Sequence, residues 1–550
     1  MPPVERGWIT FFVDRIYGWW SGLPAETSSY TTEFLQIPID DVKLAATLYQ
    51  PATPPLGTIL IRTSYGIAPL MALSNARMFA SRGYQVLLAA CRGTHPSDGQ
   101  DLVPAVHEAH DGLATVAWMR EQPWYTGSFA TYGGSYLGHT QWAILTDPPP
   151  DMKVAVISTG PVDFGAFTWG TGAMETHMIA WAALMTAPKR GITPGLPYIR
   201  KLPKILQPVY DSLPLMDGIK EHLQNKEPPW LEELISQPDT STPFWSRTNQ
   251  SAALQKAKIP ILQSTGWNDS VLPLVLDQHR VLVEQGAPAF LTIGPWSHLG
   301  SQQGPTLVEG LKFFDHYLAG RGAAPRTSPC RVFVTGSNEW RDMASWPPSP
   351  LPTQTFYLSF ETLRIRKEQP LEQVSISTVR FYPNEATPSI GMPRPFDDVQ
   401  PTNYSDTELA DRSDVAVFDT SPLQSNIEVL GKPLIELHHT TDNPHADILV
   451  RLSEVNSKGK SRRISDVYKR LDPARGSEPL SLALVDCAHV FRKGNKIRMI
   501  IAGGAHPAYL RNLGRGENQA YGVNSAPVRH TIHHSMDAAS RLILPVTASY

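Results

Sequence analysis

The run Tyr132-Gly133-Gly134-Ser135-Tyr136-Leu137-Gly138-His139 follows the short apolar stretch Ser128-Phe129-Ala130-Thr131. This reads as a strand that turns sharply at a serine and enters a helix. A serine hydroxyl is a weak nucleophile near neutral pH. Such a turn exposes its oxygen and aims the helix's first N–H groups at negative charge developing on a bound carbonyl. The crowded turn needs small residues, and Gly133 and Gly134 supply them. The spacing departs from G-x-S-x-G: Leu137 occupies the second position after the serine, and the glycine follows one place later at Gly138. In a chain with 39 glycines the motif alone does not separate a nucleophile from an ordinary loop.

A nucleophilic serine needs an imidazole to take its proton and a carboxylate to orient that imidazole. In doubly wound hydrolases the chain order is serine, acid, histidine. Asp269 follows the apolar stretch Ile259 to Ser264 within Gly266-Trp267-Asn268-Asp269-Ser270, and His298 follows Ala289 to Ile293 within Gly294-Pro295-Trp296-Ser297-His298. Both sit just past strand-like runs, and successive parallel strands bring their carboxyl ends to one rim. His139, four residues past Ser135 on the same helix, points away from a leaving group and reads as a packing or surface residue. His316 lies in an aromatic amphipathic helix and reads as structural. For an oxyanion hole, the Tyr136 N–H follows the nucleophile directly. The loop Thr63-Ser64-Tyr65-Gly66 after the strand Gly57 to Arg62 offers a second donor, a backbone N–H or the Tyr65 hydroxyl.

The elements that must hold these residues alternate between strand and helix patterns from about Phe34 to Thr159, as a parallel sheet with covering helices requires. Ala105 to Trp118 reads as one of the helices, closed by Glu121-Gln122-Pro123-Trp124. From Phe164 to Trp245 the texture becomes helical and proline-broken, a segment placed between serine and acid where it can cover a site. Its Trp169, Met174 and Trp181, with Trp267 beside the acid, are the candidates for an acyl pocket. Aromatic and methionine residues at such spacing also pack helical cores. Past Val332, short apolar runs alternate with turn residues and no helices intervene, which means an antiparallel β-sandwich.

The strings TYGGSYLGHTQW, GWNDS and IGPWSH, together with LIRTSYG, ACRGTHPSDGQ and RVFVTGSNEWR, resemble the cocaine-esterase-like CocE/NonD hydrolases, relatives of X-Pro dipeptidyl peptidases and α-amino acid ester hydrolases. The resemblance runs from about Thr32 nearly to the C-terminus. It implies Ser135 as nucleophile, Asp269 as acid and His298 as base, with the Tyr65 hydroxyl completing the oxyanion hole beside the Tyr136 N–H. It also implies an α/β-hydrolase domain with an inserted helical cap and a C-terminal all-β jelly roll. The chain then divides into an aromatic segment (1–30), two hydrolase parts (31–160 and 249–330), a cap (161–248) and the jelly roll (331–550). One departure is Ala90-Cys91-Arg92-Gly93, which stands where members commonly carry an acidic residue before Arg-Gly.

A chain of 550 residues with 41% hydrophobic and 18% charged residues is ordinary for a folded protein of two or three domains. A net charge of −3 without a basic block excludes the electrostatic footprint of a nucleic-acid binder. Cys91, Cys330 and Cys487 lie far apart, with no spacing for zinc or redox work, and read as buried small residues. No metal or cofactor is expected, the partner is a small-molecule acyl substrate, and assembly into a homo-oligomer stays open. The aromatic N-terminus has neither the length nor the flanks of a secretory signal, so a cytoplasmic location is expected. It reads as a helix docked on the body; an interfacial membrane helix would want more lysine and arginine on its polar face. The chemistry implied is a serine esterase or amidase. Alternatives are an acyltransferase using the same acyl-enzyme, an X-Pro dipeptidyl-peptidase-like activity, and an inert binding protein.

Overall fold

A computed structural model of the chain describes residues 2–100, 102–187, 196–348, 350–359, 361–364, 375–393, 404–535 and 537–547. It divides into two compact units, residues 1–167 with 240–331 and residues 168–239 with 332–550. The stretch expected as a cap is thus split, its ends belonging to the first unit and Thr168–Asp239 to the second.

The first unit is built on strands β1 (Val4–Glu5), β2 (Tyr30–Ile39), β3 (Val42–Pro51), β4 (Thr58–Thr63), β5 (Gln85–Ala90), β6 (Phe129–Gly134), β7 (Met152–Ser158), β8 (Ile261–Asn268) and β9 (Ala289–Ser297), in the sheet order β1-β2-β3-β5-β4-β6-β7-β8-β9. The first three pair antiparallel, and β3 joins β5 antiparallel. From β5 through β9 every pairing is parallel. The parallel strands are apolar almost without interruption because both faces are buried. Leu60, Leu87, Ala155 and Ile157 enter the core on one face, and their neighbours Ile59, Ile61, Val86, Leu88, Val154 and Val156 enter the core on the other.

Three helices of this unit matter most: α1 (Trp8–Trp20), α2 (Glu108–Arg120) and α3 (Tyr136–Ile144). Helix α2 begins three residues later than the apolar pattern suggests. Ala105 instead takes φ +64° and donates its N–H to the Tyr136 hydroxyl at 2.9 Å. Helix α1 docks on the body as expected, but through its polar side. Asp14, fully buried, pairs with Arg6 at 2.7 Å and with Arg77, and accepts a hydrogen bond from the Tyr30 hydroxyl at 2.7 Å. Gly18 lies so close to Arg82 that a β-carbon there would stand 2.7 Å from its guanidinium.

The second unit carries helices His177–Thr186, Leu196–Asp211, Leu215–Leu223 and Pro229–Ser236 together with a strand-rich region. Its large sheet runs from 376–381 through 528–533, 434–441, 541–545, 353–359, 362–364, 415–419, 496–502 and 447–455 to 461–470. Nearly all these pairings are antiparallel, and they enclose an apolar core that includes Phe356, Phe418, Ile435, Leu452 and Phe491. The three cysteines are buried and form no disulfide, and burial pushes the Cys91 thiol well above its ordinary range. Among the described residues no helix is long and apolar enough to cross a membrane.

Candidate active site

Strand register places the candidate residues. In the sheet Gly134 pairs with Ser158, Ser158 with Ser264, and Asn268 with Ser297. The residues just past these ends, Ser135, Thr159, Asp269 and His298, therefore emerge along one rim of neighbouring parallel strands. His298 Nε2 lies 3.0 Å from Ser135 Oγ, and His298 Nδ1 lies 3.0 Å from Asp269 Oδ1. The Asp269 side chain is fully buried and that of His298 nearly so, whereas Ser135 is half-buried.

Thr159 is part of this arrangement and was missed by sequence reasoning. Its hydroxyl donates to Asp269 Oδ2 and stands 3.3 Å from His298 Nδ1. The Thr265 hydroxyl also reaches Oδ2 at 3.3 Å, and the Val271 N–H donates to Oδ1 at 3.0 Å. Asp269 thus accepts hydrogen bonds on both oxygens, which fixes the plane of the carboxylate that orients the imidazole. The Gln302 side-chain amide donates to the His298 backbone carbonyl at 2.9 Å.

Ser135 has φ +57° and ψ −122°, a conformation that costs a non-glycine residue of the order of 1–3 kcal/mol and that persists where the surroundings enforce it. Its N–H donates to the Ser158 carbonyl at 2.9 Å, and its own carbonyl accepts from the Gly138 and His139 N–H groups. The glycines are small for steric reasons. A β-carbon at Gly134 would stand 2.5 Å from Gln302, and one at Gly138 would stand 2.7 Å from the Gly160 α-carbon. The displaced glycine of the motif is therefore where α3 crosses the chain leaving β7.

Tyr136 opens α3, so its N–H belongs to the helix's first turn beside Ser135. Its side chain points the other way into a buried cluster, donating to Glu108 Oε1 at 2.8 Å while Glu108 Oε2 pairs with Arg62 at 2.8 Å. Tyr65 is half-buried in the loop after β4, and its N–H donates to Thr63 Oγ1 at 3.0 Å. The Tyr65 N–H is therefore committed within its own loop.

A family model described as X-Pro dipeptidyl-peptidase (S15 family) matches residues 40–300, and one described as X-Pro dipeptidyl-peptidase C-terminal non-catalytic domain matches residues 322–543. The chain belongs to the CocE/NonD, X-Pro dipeptidyl-peptidase-like family. It is a serine hydrolase of the α/β type, of the esterase or peptidase kind. Among the relatives of this family, cocaine esterase of Rhodococcus sp. (strain MB1 Bresler) is 26% identical over 92% of this chain and 96% of its own length. Among solved structures, an α-amino acid ester hydrolase aligns with a TM-score of 0.80 at 20% identity, covering 95% of this chain and 98% of that one. An aminopeptidase from the marine sediment archaeon Thaumarchaeota archaeon aligns at 0.77 and 19% identity, covering 94% and 97%. These likenesses agree with the expected fold, an α/β-hydrolase domain followed by an all-β domain.

The other candidate residues take up packing positions. Trp267 is buried in β8, two positions before Asp269. Trp169, Met174 and Trp181 lie in the second unit in packing positions. The Trp169 indole N–H donates to the Leu234 carbonyl at 3.0 Å, Met174 is fully buried, and Trp181 packs against Trp230 with ring centroids 5.4 Å apart. His139 is a packing residue and not a surface one: fully buried, it donates from Nδ1 to the Pro161 carbonyl at 2.9 Å and meets the Phe164 ring edge-on.

Burial pushes His139 down to about 4 from the ordinary 6.5, and does the same to His279 and His530. Between those values the unfolded chain binds protons that the folded chain refuses, so stability rises with pH across that window and is lost as pH falls from about 6.5 toward 4. The thermal midpoint is expected to drop over that range and to stay level above it. His139→Gln should shallow the slope, and a slope identical in the two proteins would exclude His139 as a contributor.

Proposed function

We propose that the chain hydrolyses an ester, or an amide, of a small molecule through an acyl-enzyme on Ser135. The observation that carries this reading is the relay Ser135 Oγ, His298, Asp269, with 3.0 Å at each link. His298 Nε2 takes the Ser135 proton as Oγ attacks the acyl carbonyl, and Asp269 stabilises the imidazolium that results. The Tyr136 N–H and the Tyr65 hydroxyl hold the oxyanion. The imidazolium then gives its proton to the leaving group, and water enters by the reverse use of the same groups. No metal or cofactor takes part. Two of the three relatives described are named for esters, which favours ester over peptide substrates.

The test uses the full chain with an active-site-directed fluorophosphonate and peptide mapping, followed by esters, lactones, amides and X-Pro peptides with and without an added alcohol. Label is expected on Ser135 alone, with free acid released from simple esters. Label on a different serine would overturn the assignment. Acyl product formed only with the alcohol would make the enzyme an acyltransferase.

A further inference from the structure

Helix α1 is built inside out. Its one acidic residue, Asp14, is fully buried against Arg6, Arg77 and Tyr30, and its glycine Gly18 is buried against Arg82. Its large apolar side chains point outward instead: Trp8 is 73% exposed, Ile16 65% and Trp19 81%, and Ile9, Phe12, Val13 and Trp20 are exposed beside them. Taking about 200 Å² for each large side chain, these seven present on the order of 800 Å² of apolar surface on one short helix, beyond the roughly 300–600 Å² of the largest patch on a typical soluble monomer. Exposed apolar patches of that size mark surfaces of interaction.

We infer that the outer face of α1 seats the protein on an anionic lipid surface. The composition of the face suits a bilayer interface, since three of the seven side chains are tryptophan, whose rings partition to the headgroup level. Charge agrees as well. With Asp14 buried and neutralised, the only charged residue exposed on the helix is Arg15, the sign that anionic headgroups attract. A two-fold pairing of this face with a second copy would bring two Arg15 cations into an apolar contact with no acid on the helix to receive them. Thirteen residues make a helix of about 20 Å. That is well short of the roughly 30 Å of bilayer hydrocarbon, so the helix lies in the plane of the interface and does not span it. An interfacial helix ordinarily needs a lysine-rich polar face to hold its charged side in the headgroups. Here that side faces protein, and the apolar area supplies the attraction.

The test is sedimentation of the full-length protein with sucrose-loaded vesicles of phosphatidylcholine and phosphatidylserine, compared with a variant carrying Trp8→Ser, Ile16→Ser and Trp19→Ser. All three positions are exposed, so the variant's thermal midpoint and circular dichroism should match the wild type. The wild type should pellet with the vesicles, and the variant's partition coefficient should fall at least about tenfold. As a measurement independent of any variant, brominated acyl chains should quench part of the wild-type tryptophan emission. Absence of pelleting and quenching in the wild type would overturn the inference, as would equal pelleting of the folded variant. So would a stable dimer in lipid-free buffer that the substitutions dissociate.

Discussion

Ser135→Ala should lower turnover of a simple aryl ester by about four to six orders of magnitude and abolish fluorophosphonate labelling, while the thermal midpoint stays near that of the wild type. The loss is large because the substitution removes the only atom that forms the covalent bond. Oxyanion stabilisation and binding remain and leave a residual rate above that in water. The fold survives because Ser135 is held by its backbone. Its N–H bond to Ser158 and its carbonyl's bonds from Gly138 and His139 do not involve the hydroxyl. Alanine tolerates φ +57° no worse than serine does. Turnover is measured with a chromogenic ester and labelling by gel fluorescence. An alanine variant that still labels, or that keeps more than about a hundredth of the wild-type rate, would remove Ser135 from the reaction.

What could be read from the chain, and what could not, follows from the range of the interactions involved. Ser135, Asp269 and His298 each stand directly after an apolar run, and parallel strands deliver such positions to one rim, so local pattern plus one rule of topology predicts their meeting. Thr159 obeys the same rule at the end of β7, but a β-branched residue after Val-Ile-Ser reads as a continuation of the strand. Its positive φ and its bond to a carboxylate 110 positions away leave no local mark. The position itself, directly past the strand beside the serine's, was the signal available. The helical pattern from Ala105 to Trp118 puts Ala105 in the helix, yet its N–H is drawn to the Tyr136 hydroxyl inside the Arg62–Glu108 cluster, a contact spanning 31 residues. The N-terminal helix docks on the body as the sequence suggests, but with its faces exchanged. Aromatic residues normally face the body and charges the solvent, and a buried ion pair between Asp14 and Arg77 reverses that order without altering the pattern of apolar and polar letters.

Asp269→Asn should lower kcat by about four orders of magnitude with KM little changed, and Thr159→Val should lower it by one to two. The asparagine is nearly isosteric, so the difference is electrostatic. If its carbonyl keeps the place of Oδ1, the imidazole stays oriented but loses the negative charge that stabilises its protonated form. If the amide flips, its NH2 faces His298 Nδ1 and puts the ring's proton on Nε2, where it cannot accept from Ser135. The Thr159 and Thr265 hydroxyls reach Oδ2 and can rotate to accept from an amide, so the variant folds with the relay's geometry intact. Thr159→Val removes one donor and leaves the charge, which makes Thr159 a positioning residue. Its contribution should be restored largely by Thr159→Ser, whereas no uncharged residue at 269 should restore that of Asp269. Steady-state kinetics of the four proteins on one ester decides the matter. An Asp269→Asn enzyme within about tenfold of the wild type would mean that His298 draws its basicity from elsewhere, and Thr159→Val falling as far as Asp269→Asn would mean that the threonine controls the fold of the rim and not the orientation of the carboxylate.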